Sequence, residues 1–89
     1  MQQRNLTICN KLGLHARAAA RFVSLASGFD CRIMLERNGR RVNGKSIMGV
    51  MMLAAAQGAA ITLITDGQDE QQAADALQQL IEDRFGEDE

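Results

Sequence analysis

At 89 residues the chain has room for one compact domain, expected to span residues 1–89 and to bury roughly 60 to 65% of the surface its unfolded form exposes. Its 46% hydrophobic content, 24% charged content and net charge of −1 exclude bulk electrostatic attraction to nucleic acid or acidic membrane. The start, MQQRNLTICNKLG, has no apolar run fit for a signal peptide, and nothing later approaches the roughly 18 apolar residues of a membrane span; a cytoplasmic location is therefore expected.

With no proline in the chain, glycine is the only strong punctuation. Leu6 and Ile8 alternate with Thr7 and Cys9 as in a half-buried strand, which breaks at NKLG. The run ARAAARFVSLAS, Ala16 to Ser27, predicts a helix with Ala19, Phe22, Val23 and Ala26 on one face and Gly28 as its C′ residue. In CRIMLER, Ile33 and Leu35 alternate against Arg32, Met34 and Glu36. Asn38-Gly39 then supplies the two φ > 0 positions of a type I′ turn before a return strand over Arg40 to Val42. SIMGVMMLAAA, Ser46 to Ala56, reads as a second helix, N-capped by serine, apolar on nearly every side and ended by Gly58. AITLIT forms a further strand ending at Asp66-Gly67. From Asp69 the spacing of Ala73, Ala76, Leu77, Leu80 and Ile81 gives an amphipathic helix, opened by a capping-box-like D-x-x-Q and closed by Gly86. The terminal EDE is expected to fray.

The order is β-α-β-β-α-β-α, which predicts an α/β (α+β) open-faced sandwich: a four-stranded, antiparallel or mixed sheet with its three helices on one face. Cys9 and Cys31, 22 positions apart in strand-like segments, read as free thiols, and one histidine cannot complete a metal site with them. No cofactor is expected.

GRRVNGKS, Gly39 to Ser46, fits the phosphate-loop pattern G-x-x-x-x-G-K-[ST]. A phosphate loop needs both glycines free to wrap the anion, between a parallel strand and a long helix. Gly39 is instead committed to a hairpin. ITLITD resembles the aspartate-ending strand that accompanies such loops, but four short strands cannot build the doubly wound sheet that nucleotide hydrolysis uses.

The only histidine, His15, stands at the entry to the first helix, two residues after Gly13. A lone imidazole makes neither a triad nor a metal site, and a capping or surface role is the plain reading. Phosphoryl acceptance needs only one histidine, provided the dianion has a donor-rich seat. The free backbone N–H groups of Ala16 and Arg17 and the Arg17 guanidinium supply one. Neutral imidazole, with an ordinary pKa of about 6.5, offers a nucleophilic nitrogen near neutrality.

GLHARAA, followed about 30 positions later by NGKSIMGVMML, resembles the HPr family, the histidine-containing phosphocarriers of the bacterial phosphoenolpyruvate-dependent sugar phosphotransferase system, over essentially the whole chain. The resemblance implies that His15 accepts a phosphoryl group on Nδ1 from enzyme I and passes it to IIA components of sugar permeases, with Arg17 steadying the phosphate. It implies a stoichiometric carrier and not an enzyme. Ser46 resembles the position modified by an ATP-dependent HPr kinase/phosphorylase. The family usually has proline where this chain has Ala18; proline in a first turn loses no hydrogen bond, so alanine preserves the helix and affects only the positioning of Arg17. A carrier of the nitrogen-related branch, NPr, is the alternative within the class, and GKSIMGVM favours HPr.

Ser46 also has a structural role, capping the second helix for about 1 kcal/mol. Ile47, Met48, Val50, Met51, Met52 and Leu53 cannot all face one sheet, so some form an exposed apolar patch, and methionine suits a surface that adapts to several partners. By resemblance the partner face joins Lys45, Ile47, Met48 and Met51 to Ala16 and Ala18 around His15. Arg4, Lys11, Arg17, Arg21, Arg40, Arg41 and Lys45 are expected to gather into a basic face for acidic partners. The rival, an RNA-binding βαββαβ module, lacks an aromatic platform, because none of the three phenylalanines falls in a strand. A monomer without membrane insertion is expected.

Overall fold

The computed structural model describes all 89 residues. Its elements are β1 (Gln2–Thr7), α1 (Ala16–Ala26), β2 (Arg32–Arg37), β3 (Arg40–Asn43), α2 (Ile47–Met52), β4 (Ala60–Asp66) and α3 (Glu70–Glu82), followed by a 3₁₀ turn over Arg84–Gly86. Period-two alternation sets the register. Leu6 of β1 lies opposite Ile61 of β4, and Leu35 of β2 lies opposite Leu63 of β4, so the inward residues of neighbouring strands meet. All pairings are antiparallel and the strand order is β1-β4-β2-β3.

The helices cover one face, as the pattern predicts. Ala18, Ala19, Phe22 and Ala26 of α1 and Ala73, Ala74, Leu77 and Ile81 of α3 are buried with the inward strand residues in one apolar cluster. Each large aliphatic or aromatic side chain there contributes about 1.5–3 kcal/mol of transfer free energy. The hairpin turn is also as predicted, with Asn38 at φ 52° and Gly39 at φ 81°. Gly39 is thereby used in a turn and not in an anion loop.

Three expectations need correction. The second helix stops at Met52 instead of Ala56, because Ala54 adopts φ 51° and the chain turns Leu53 and Ala55 into the core. The carbonyl of Ala55 accepts from the Leu14 amide at 2.9 Å, which ties the loop after α2 to the one before α1. Gly28 is, as expected, the C′ residue after the Ser27 C-cap, with its φ outside the left-handed region; the Ser27 and Gly28 amides donate back to Val23 at 2.9 Å and Leu25 at 3.1 Å. Asp69 does not cap α3, since its carboxylate accepts instead from the amides of Asp30 and Cys31, both at 2.9 Å. Those amides hold Asp69 below the usual carboxylate range. Finally, α3 ends at Glu82, and Arg84 and Phe85 at φ 58° and 55° reverse the chain so that Phe85 is fully buried.

Both cysteines lie just outside the strands and are free. Burial, with Asp69 nearby, pushes the Cys31 thiol up to about 11, which keeps it protonated at neutral pH. No helix is long and apolar enough to cross a membrane.

Candidate functional site

His15 is the N-cap of α1. Its backbone is extended (φ −75°, ψ 179°), and its carbonyl accepts the first helical bond, from Ala19, at 2.9 Å. The ring Nδ1 accepts from the Arg17 amide at 3.3 Å, the part a serine or aspartate oxygen plays in an ordinary cap. An Nδ1 that accepts is unprotonated, so in the neutral ring Nε2 carries the hydrogen. That Nε2–H donates to Oε2 of Glu87 at 2.6 Å, 72 positions away in sequence. The His15 side chain keeps 27% of its surface exposed and Glu87 14%, so the pair is sheltered but reachable.

The loop before α1 is fixed by a close approach. Gly13 has φ +67°, and a Cβ there would stand 2.4 Å from the Ala55 carbonyl oxygen, so only glycine fits. Asn10, completely buried, donates through Nδ2 to the Gly13 carbonyl and to Oε1 of Glu87, both at 2.8 Å. Its Oδ1 has no partner. Asn10 first, and then His15, hold the Glu87 carboxyl below its usual range. The terminal EDE therefore does not fray, because Glu87 is bound on both oxygens and the Glu89 carbonyl accepts from the Lys11 amide at 3.0 Å. Sequence reasoning missed Asn10 and Glu87, since a polar residue in a turn and an acid near a terminus both read as solvated.

The second helix entrance is simpler. Ser46 Oγ accepts from the Gly49 amide at 3.1 Å, and Lys45 sends its Nζ to the Phe29 carbonyl at 2.6 Å. On α2 the side chains of Ile47, Met48, Met51 and Met52 are exposed, whereas Val50 is buried and Leu53 at its C-cap is buried with it.

A family profile described as "PTS HPr component phosphorylation site" matches residues 2–83, nearly the whole of this architecture with His15 and Ser46 inside it. The chain belongs to the HPr phosphocarrier family. It is 61% identical over 89 residues, all of both chains, to the phosphocarrier protein HPr of Cupriavidus necator. The crystal structure of HPr-C-His from Thermoanaerobacter tengcongensis superposes with a TM-score of 0.96 at 47% identity, again covering all of both chains. The phosphocarrier protein NPr of Shewanella violacea is 44% identical, over 96% of this chain and 93% of that one.

On this HPr fold the site residues named from sequence divide into two groups. His15, Ala16 and Arg17 stand together at the entrance of α1, and α2, which carries the apolar patch, packs against α1. Ala18 is different. It is completely buried, so its side chain is core and offers nothing to a partner. The basic residues do not gather in one depression. Lys11, Arg17 and Arg21 line a depression of about 510 Å³ with Gly86–Glu89, whereas Arg41 and Lys45 line another with Arg32. Arg4 is bound to Asp75 at 2.6 Å against α3. Within the first depression Arg21 donates to the Phe85 carbonyl and Lys11 pairs with Glu89, but the Arg17 guanidinium makes no hydrogen bond or ion pair. The phenylalanines are in α1, in the loop before β2 and in the 3₁₀ turn, none on the open face of the sheet.

Proposed function

We propose that this chain is the phosphocarrier of a phosphotransferase system, taking a phosphoryl group from enzyme I on Nδ1 of His15 and passing it to IIA components of sugar permeases. The observation that carries the reading is the state of Nδ1: a lone pair held at a half-exposed helix entrance by one weak bond of 3.3 Å from the Arg17 amide. When phosphorus takes that lone pair, the Arg17 amide is released to donate to a phosphate oxygen, and the unpaired Arg17 guanidinium is at hand as a charge-assisted donor. The chain supplies an acceptor and a seat, and the partner supplies the rest of the chemistry, so it works as a stoichiometric carrier in one domain and as a monomer. Ile47, Met48 and Met51, exposed beside α1, form the docking surface, with Ala16 and Lys45 at its border.

Ser46 is proposed as a regulatory site for HPr kinase/phosphorylase. Its oxygen already faces an amide, and a phosphate there adds about two negative charges next to the apolar docking patch without disturbing the core. The nitrogen-branch reading uses the same His15 chemistry, supported by the 44% identity to an NPr.

Incubation with phosphoenolpyruvate and enzyme I should place an acid-labile phosphate on the protein. Label surviving His15→Ala, or no label at all, would sink the reading. Phosphorylation by the nitrogen-branch enzyme I in preference to the sugar-branch one would select the alternative. ATP and HPr kinase should give an acid-stable phosphate that Ser46→Ala abolishes.

A further inference from the structure

We infer that Glu87 is a positioning residue for the phosphoryl acceptor: its carboxylate holds the proton on Nε2 of His15, keeps the lone pair on Nδ1, and faces the positive charge that the ring acquires when Nδ1 is phosphorylated. The inference deepens the carrier reading and rests on it for its last part.

The geometry fixes the tautomer twice. The Arg17 amide at 3.3 Å requires a bare Nδ1, and the Glu87 carboxylate at 2.6 Å requires a protonated Nε2. The second contact is the shorter and charge-assisted one, so it dominates. Glu87 is itself built into place. Its other oxygen accepts from the buried Asn10, and the segment carrying it is anchored by Phe85 in the core, by Arg21 on the Phe85 carbonyl and by the Lys11 amide on the Glu89 carbonyl. Asn10 also ties Glu87 to the Gly13 loop, which sets the backbone of His15.

In the transfer step the Nδ1 lone pair forms the N–P bond while the donor's bond to phosphorus breaks and its electron pair leaves with the donor. Nε2 keeps its proton throughout. The ring thus passes from neutral to cationic with Glu87 against it, as a buried carboxylate orients and stabilises the histidine of a hydrolase triad. On delivery the N–P pair returns to Nδ1 and the ring departs neutral, with no proton to recover. Without the carboxylate the Nε2 proton is held only by solvent.

The test uses ¹⁵N-labelled protein, first without phosphate, at a pH of about 8, where an ordinary imidazole is neutral. The native protein should show a protonated Nε2 sheltered from exchange and an unprotonated Nδ1. Glu87→Ala should lose the sheltered proton, whereas Glu87→Gln, which keeps a neutral acceptor, should retain it. Phosphate is then offered as phosphoramidate, a small donor that needs no docking surface. Acceptance at His15 should fall roughly tenfold in Glu87→Ala and roughly threefold in Glu87→Gln, in line with a charge-assisted bond partly open to water. A sheltered proton that survives Glu87→Ala, or acceptance equal to or faster than native in both variants, overturns the inference. Failure of the native protein to take phosphate at all would strike the carrier reading, while the phosphate-free spectra decide the tautomer by themselves.

Discussion

The entrances of α1 and α2 solve one physical problem with different amounts of structure. At each, a side-chain atom accepts from a backbone amide that the helix cannot satisfy. At α2 that is all: Ser46 Oγ, half-buried, meets the Gly49 amide, on a helix of six residues. At α1 the capping atom belongs to a ring whose far nitrogen is bound to Glu87, which is bound to Asn10, which is bound to the Gly13 loop. In the roles proposed above, a hydroxyl that is to be modified needs only to be reached, whereas an imidazole that is to present one nitrogen and not the other needs both sides fixed, and the second side comes from distant residues.

The contrast can be broken at its deepest anchor. Phe85→Ala should destabilise the fold by about 3–5 kcal/mol, by analogy with other buried aromatics, and should free Glu87 from His15 while leaving the Ser46 cap intact. Denaturant titration measures the first effect and ring ¹⁵N shifts the second; a variant that keeps the Nε2 contact would show that Phe85 is not the anchor. Asn10→Ala should cost about 1–3 kcal/mol by leaving the Gly13 carbonyl and one Glu87 oxygen without a donor. Ser46→Ala removes a single cap, costs about 1 kcal/mol in the same titration, and leaves acceptance at His15 at the native level. If the serine variant proves the more damaging of these two, the comparison is the wrong way round.

The smallest effect is in acid. Asp69 and Glu87 both sit below their usual carboxylate values in the fold. A depressed folded-state value means a stabilisation that is present above the unfolded-state range of about 3.9–4.3 and lost as pH falls through and below it. Asp69→Asn should flatten this acid limb near the Asp30 and Cys31 amides without touching His15, whereas Glu87→Gln should flatten its own share and alter the ring. Thermal unfolding between about pH 6 and pH 2 separates the two.

Most of the scaffold was legible because its signals are local. Alternation in CRIMLER and AITLIT, the Asn-Gly turn and the α1 periodicity each reflect neighbours within a few residues, and each survives in the fold. What could not be read depends on distant partners. The alanines after Met52 favour a helix, but Ala54 turns to a positive φ and Leu53 and Ala55 are buried in the core, which ends it. Asp69 stands where a cap is expected, yet its carboxylate is taken by the amides of Asp30 and Cys31. In the site, His15 and Arg17 were visible from their position at a helix start, while Asn10 and Glu87 were not, because nothing in NKLG or in EDE announces a contact some 72 to 77 positions away.

The strand order has a consequence for how the protein is made. β1 has β4 as its only neighbour, so Leu6 waits for Ile61 before it has anything to pair with. During synthesis the first strand, and the His15 loop that follows it, emerge long before the strand that will hold them. A truncated chain ending before β4 would therefore carry the histidine beyond an unpaired first strand, a template for association with other chains. The sheet is complete only with the fourth strand between the first and the second.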